Sequence, residues 1–155
     1  MNKKDEMLEV ALKLFSSIGY ENTGIQKIVD GAGVKKPTLY HYFGSKQGLL
    51  VALLDEYFNP FITNLKQSSI YEGDLVLTLE QVVNVYFNFA TEHAGFYRFF
   101  LNLMYSAEDS DARRSVHSYV DRLFQIIQQV FKDSENDHGN MRGRSRRYAM
   151  TLTHI

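Results

Sequence analysis

The sequence predicts an all-α protein with a short helical head and a longer helical region after it. Apolar residues recur at the i, i+3, i+4 spacing of amphipathic helices along most of the chain. No segment combines the alternation of a strand with regularly spaced turn residues, and no internal repeat is present. We therefore expect two helical regions, residues 1–58 and residues 59–155.

The first helix is predicted from about Lys4 to Ile18, and Gly19 ends it. Apolar side chains follow one face of this segment, so that face is expected to be buried. The stripe consists of Met7, Val10, Ala11, Leu14, Phe15 and Ile18.

A second, short helix follows Thr23, whose hydroxyl can cap it by accepting a hydrogen bond from a free backbone N–H. Ile25, Ile28 and Val29 then lie on one apolar face. The helix ends in a glycine-rich turn. There Gly33 supplies the positive φ angle that a tight connection between two helices requires.

The third helix has Pro37 in its first turn, where the missing N–H removes no hydrogen bond. Leu39 and Phe43 lie four residues apart and are expected to point inward. The side chains left to face outward or sideways are Lys36, Thr38, Tyr40 and His41. Residues 31–54 carry three lysines and a histidine but no Asp or Glu, which suits a nucleic-acid groove. The alternatives are core packing for the aromatic rings and plain solvent exposure for the histidine.

A fourth helix begins near Ser45, a suitable N-cap, and continues toward Phe58. Pro60 is expected to kink it or to restart it, because proline cannot donate the intrahelical hydrogen bond.

The run AGVKKPTLYHYFGSKQGLL, Ala32–Leu50, resembles the signature AGVxxxTLYxYFxSKxxLL of the TetR family of bacterial transcriptional regulators. The resemblance covers roughly residues 5–55. It implies a three-helix DNA-binding head, followed by an all-helical domain that dimerises and usually holds a small-molecule inducer. It also implies that the recognition helix carries Lys36, Pro37, Thr38, Tyr40 and His41. Lys46 would then open the next helix and hold a DNA phosphate. The predicted DNA contacts are Thr23, Gln26, Lys35, Lys36, Pro37, Thr38, Tyr40, His41, Tyr42 and Lys46.

Three residues depart from the pattern of this family. Lys35 stands where Ser or Thr commonly caps the recognition helix, and a lysine cannot cap. Gly24 stands where Ser or Thr is common, and Val29 replaces the common alanine. The sequence therefore does not specify the operator.

Residues 59–155 are rich in aromatic side chains, with fifteen Phe or Tyr between positions 57 and 131. Helices are predicted from about Leu77 to Glu92 and from Arg113 to Phe131, with a break at Gly95. The rings can fill a core, face a partner or line a ligand cavity. The predicted ligand-binding residues are Phe61, Tyr86, Phe87, Phe89, Arg98, Phe99, Phe100, Met104 and Phe124. Arg98 is either an ordinary surface residue or, if buried, the partner of an acidic group.

The last part of the sequence, residues 133–147, is polar and contains four arginines within six positions. We expect a solvated loop there, and a second nucleic-acid patch is the alternative. Residues 148–155 resemble the first turns of an apolar helix. Because the family usually has two further long helices at this point, we expect the carboxyl-terminal region to be incomplete.

Composition argues against several classes of function. The chain has no cysteine, which excludes disulfides, a thiol nucleophile and cysteine-ligated zinc. It has no P-loop, GxGxxG, GxSxG or HExxH motif, so we predict neither an enzyme nor a cofactor or metal site. It shows no signal peptide and no apolar run of about 20 residues, so a cytoplasmic protein without a membrane partner is expected.

These observations favour a homodimeric repressor. It would bind double-stranded DNA at a palindromic operator and leave it when a small apolar or aromatic inducer binds. The alternative is an all-helical protein-interaction module that does not bind DNA.

Overall fold

The computed structural model describes residues 2–153, and within that range the chain folds into helices and contains no strand. The all-α prediction is thereby confirmed. Met1, His154 and Ile155, which the predicted regions include, lie outside the described residues. The α-helices are α1 Lys3–Ile18, α2 Ile25–Gly31, α3 Lys36–Phe43, α4 Lys46–Ser68, α5 Leu75–Glu92, α6 Ala94–Met104, α7 Asp111–Asp133 and α8 Ser145–Thr153, with a 3₁₀ helix at Gly139–Met141.

The described residues pack into two compact units. The first contains the chain up to Tyr57 together with His93–His117, and the second contains Phe58–Glu92 together with the chain from Ser118 onward. The border after Tyr57 falls within α4, one residue before the predicted border, and the segment around α6 belongs to the first unit. Packing does not test a division by function, so residues 1–58 and 59–155 stay predictions as functional regions.

The core of the first unit is built on α1, which packs against α2 and α6. Met7, Ala11 and Phe15 are buried as the stripe predicts, and Leu8 is buried as well. Ile18 at the end of the stripe is 38% exposed, because the helix stops there and Gly19 turns the chain away. The ring of Phe15 stacks on Phe99 of α6 at 5.6 Å between centroids.

The core of the second unit contains a cluster of aromatic rings. Phe58 stacks on Tyr119 of α7 with 5.0 Å between ring centroids. Phe61 stacks on Phe89 of α5 at 4.3 Å, and Tyr86 meets Phe61 edge-on at 5.1 Å. Most rings of this unit therefore contact other rings.

Several predicted boundaries need correction. The fourth helix passes through Pro60 without restarting; the proline is exposed, so water can reach the carbonyl that lacks its usual partner. The break after α5 falls at His93, whose backbone leaves the helical region, and Gly95 lies inside α6. The polar segment 133–147 is not a loop throughout, because α8 begins at Ser145 and buries Ala149. Within the described chain, no helix is both long and apolar enough to cross a membrane.

Candidate nucleic-acid interface

A tight turn joins α2 to α3, as the glycine-rich sequence predicts. Gly33 has φ +61°, a left-handed conformation that glycine adopts without a steric penalty. The backbone N–H of Val34 donates to the carbonyl of Val29 at 3.0 Å, and that of Gly33 donates to Asp30 at 3.3 Å. These bonds fix the direction in which the chain enters α3.

The inward face of α3 is set by Leu39, which is fully buried, while Phe43 is half-buried. Lys35 occupies the N-cap position without a side-chain hydrogen bond, as expected for lysine, and Pro37 lies in the first turn. The structure thus places the two predicted inward residues on the packed side of the helix.

The opposite side of α3 is open to solvent. Tyr40 and Tyr42 are each 47% exposed, and the rings of His41 and Tyr42 meet edge-on at 5.5 Å. Thr38 is half-buried. The exposed members of the predicted DNA-contact set on and beside this helix are Lys35, Lys36, Pro37, Tyr40, His41 and Tyr42.

The junction between α3 and α4 depends on a glycine that sequence reasoning did not single out. A Cβ atom at Gly48 would lie 1.9 Å from the carbonyl oxygen of Phe43, so only glycine fits there without a backbone shift. The hydroxyl of Ser45 accepts a hydrogen bond from the N–H of Gly48 at 2.9 Å, which confirms Ser45 as the cap of α4. In the sequence, the only signal of this close approach is a glycine inside a predicted helix.

Lys46, the first residue of α4, is held against the end of the α1–α2 connection. Its ammonium nitrogen lies 4.2 Å from the centroid of the Tyr20 ring and donates to the carbonyl of Glu21 at 3.4 Å. Burial lowers the pKa of Lys46, and the carboxylates of Glu21 and Asp111 act in the opposite direction. Burial, followed by Asp111 and Glu21, raises the pKa of Tyr20 to about 12. Sequence reasoning did not select Tyr20.

Thr23 does not have the predicted capping role. Gly24 occupies the N-cap of α2 without a side-chain hydrogen bond, so that prediction was wrong. The Thr23 side chain is fully buried, and its hydroxyl donates to the carbonyl of Gly19 at 2.7 Å. The Thr23 hydroxyl therefore donates to a carbonyl just beyond the end of α1, which lacks an intrahelical partner. It does not cap the N–H groups of α2. Gln26 is exposed, and its amide donates to Asp30 at 2.7 Å.

The predicted ligand-binding residues are distributed over both units. In the second unit, Phe61 and Phe89 are buried, Tyr86 and Phe124 are half-buried, and Phe87 is 68% exposed. In the first unit, the structure buries Phe99 and Phe100, half-buries Met104 and exposes Arg98. Their role in ligand binding stays a prediction.

A groove of about 780 Å³ lies elsewhere in the second unit, between the end of α4 and α7. Its wall includes Ile70, Tyr71 and Ile126 with the cations Lys66 and Arg122, and none of the predicted ligand-binding residues.

The site and the fold both have known counterparts. Residues 7–53 match the family described as "Bacterial regulatory proteins, tetR family". The transcriptional activator FasR of Mycolicibacterium smegmatis is 27% identical over 128 residues, which are 81% of this chain and 58% of FasR. The transcriptional repressor ComR of Escherichia coli is 45% identical over 58 residues, which are 37% of this chain and 28% of ComR. The chain thus spans less than two thirds of these relatives, both of which are transcriptional regulators.

Solved structures give the same fold over nearly the whole chain. A putative TetR-family regulator from Syntrophomonas wolfei superposes with a TM-score of 0.80 at 18% identity, covering 97% of this chain and 77% of that one. FadR from Bacillus subtilis, in complex with stearoyl-CoA, superposes with a TM-score of 0.73 at 17% identity, covering 95% and 85%. At these identities the likeness concerns the fold alone.

Proposed function

Since the chain belongs to the TetR family of bacterial transcriptional regulators, we propose that it is a cytoplasmic homodimer that represses transcription from a palindromic operator. A small apolar or aromatic ligand releases it from the DNA. The observation that carries this proposal is the exposed face of α3, which presents cations, rings and a hydroxyl in a stretch of chain without acids.

The side chains on α3 suit the major groove in both chemistry and spacing. Helix rows of period four place Lys36 beside Tyr40 and Pro37 beside His41. A lysine can donate to the O6 and N7 acceptors of guanine, and apolar ring edges suit the methyl group of thymine. The amino-terminal residues of a recognition helix contact base edges, and a two-fold dimer reads two half-sites about one helical turn apart. Lys36 and Pro37 therefore have the best placement for base contact.

Repression and the class of ligand are the finer parts of the proposal. The chain is 45% identical to the repressor ComR over 58 residues and 27% identical to the activator FasR over 128 residues. The likeness to ComR favours repression, although it covers only 37% of this chain. The aromatic region between residues 57 and 131 favours an apolar ligand. FadR of Bacillus subtilis holds stearoyl-CoA, whose acyl chain is apolar, so compounds with an apolar chain are suitable first probes.

The proposal is tested by selecting duplexes from a random library with the purified protein and measuring affinity by fluorescence anisotropy. We expect an inverted repeat to emerge. Lys36→Glu should weaken binding to it by roughly 30-fold or more, since one good base contact is worth about 1–3 kcal/mol. Lys13→Glu, the same charge reversal on the exposed side of α1, is the matched control and should change affinity by less than about 3-fold.

Three further variants separate base readout from phosphate contact. Thr38→Ala and His41→Ala should change which bases the selection returns, whereas Lys46→Ala should weaken binding on all sequences and flatten its salt dependence. If Lys36→Glu and the unchanged protein bound the duplex with equal affinity, that result would contradict the placement of α3 in the major groove of DNA. If the unchanged protein selected no duplex, the protein-interaction alternative would be favoured.

A further inference from the structure

We infer that Tyr20 is a positioning residue for DNA binding: its ring holds the ammonium group of Lys46 at the start of α4, where the proposed function places a DNA phosphate. The inference rests on that function, but its carrying observation is the contact between the two side chains, which lie 26 positions apart in the sequence.

The ring of Tyr20 is fixed by packing. Only 7% of the residue is exposed, and its edge meets the ring of Phe15 at 5.2 Å between centroids. Phe15 is itself buried and stacks on Phe99. Because these rings anchor it on one side, the face of Tyr20 presents a stable surface to the lysine on the other.

The contact offsets an unfavourable position for a positive charge. Lys46 lies in the first turn of α4, where the helix dipole disfavours a cation, and burial also disfavours its charged form. The negative face of an aromatic ring attracts an ammonium group within about 6 Å of its centroid. The observed 4.2 Å is well inside that distance, and the Glu21 carbonyl adds a weak hydrogen bond.

The held ammonium group can still bind a phosphate. An ammonium group has three N–H donors, and the Glu21 carbonyl engages one of them. A free lysine side chain carries about 2 kcal/mol of rotamer entropy, part of which is lost when it binds. Since the Tyr20 ring has already restricted Lys46, binding a phosphate costs less entropy.

The carboxylates facing this pair set its electrostatic surroundings. Glu21 and Asp111 both favour the charged form of Lys46. They also compete with a phosphate for the same charge, so the neutral ring is the partner that can hold the ammonium group without opposing the DNA.

The experiment is a double-mutant cycle measured by anisotropy on the selected duplex. Tyr20→Phe, which keeps the ring, should bind within about 2-fold of the unchanged protein. Tyr20→Leu should weaken binding by about 3- to 10-fold, the range expected for loss of a cation–π contact. In a Lys46→Ala background, Tyr20→Leu should have no further effect.

A purely structural role of Tyr20 would give a different pattern. In that case Tyr20→Leu would weaken DNA binding equally with and without Lys46, and that result would overturn the inference. If Tyr20→Leu does not fold, the proton chemical shifts of the Lys46 ε-methylene group in the unchanged protein decide. A ring-current shift of these proton signals away from the usual lysine chemical shift supports the inference, and the absence of such a shift overturns it. Failure of the unchanged protein to bind any duplex would instead overturn the proposed function.

Discussion

The helix-turn-helix segment, residues 25–48, and the aromatic cluster of Phe58, Phe61, Phe89 and Tyr119 are held together by different means. In the segment, the shape depends on the backbone, with a left-handed Gly33 and a close approach at Gly48. In the cluster, it depends on rings stacked at 4.3–6.2 Å. A segment shaped by its backbone can leave most side chains of its last helix exposed, as the proposed function requires.

The same kinds of ring therefore have different uses in the two regions. Tyr40 and Tyr42 of α3 are nearly half exposed beside lysines, a setting suited to a polyanion. Phe58 is 1% exposed within the cluster. Phe87 of α5 also lies in the second unit, but it is outside the cluster and is 68% exposed.

The largest predicted effect is the loss of a cluster ring. Phe58→Ala should lower the free energy of unfolding by about 3–5 kcal/mol, because it removes buried apolar surface and leaves a cavity. Phe87→Ala, the same truncation at an exposed ring, should change it by less than about 0.5 kcal/mol. Urea denaturation followed by circular dichroism measures both. Similar losses for the two variants would show that the exposed ring also packs, and would contradict its separation from the buried cluster.

An intermediate effect is expected at the α3–α4 junction. Gly48→Ala should lower the free energy of unfolding by about 1–3 kcal/mol, because the new Cβ atom would collide with the Phe43 carbonyl. Gly95→Ala is the matched control, since that glycine also lies in a helix but has open space around it. It should stabilise the protein by about 0.5–1 kcal/mol through helix propensity. A Gly48→Ala protein as stable as the unchanged one would mean that the junction can move.

The parts of the fold that depend on local backbone preference could be predicted from the sequence. The bounds of α1, the turn at Gly33 and the inward position of Leu39 follow from spacing and local backbone preference, so the sequence predicts them well. The end of α5 could not be placed the same way. A glycine in sequence is a common helix breaker, but Gly95 lies in open space inside α6 while His93 makes the break.

The missed residues of the site depend on contacts that no local pattern contains. The Thr23 hydroxyl could bond either to the end of α1 before it or to the start of α2 after it, and in the structure it donates to the carbonyl of Gly19. Gly48 matters because of a carbonyl five residues earlier, across a helix junction. Tyr20 reaches Lys46 only when α1 and α4 are both in place. The outward residues of α3 needed no such information, because one helix determines their direction.

The smallest predicted effect concerns Tyr20, which lies near the helix-turn-helix but is packed like a member of the aromatic cluster. Its pKa is raised from 10.0 to about 12 in the folded protein, so folding favours the protonated phenol. The resulting stability is fully present below pH 10 and is lost as the pH rises through about 12.

Tyr20→Phe has no phenol to ionise and should lose less stability over this range. The difference should be below about 1.4 kcal/mol per pH unit, the limit for one proton. The other tyrosines are present in both proteins, and the phenylalanine ring keeps the contact with Lys46, so the difference reports mainly on the Tyr20 hydroxyl and on its effect on Lys46. Urea denaturation at pH 9, 10 and 11 measures the two slopes. Parallel slopes would show that the Tyr20 hydroxyl stays open to water, so that its ionisation does not oppose folding.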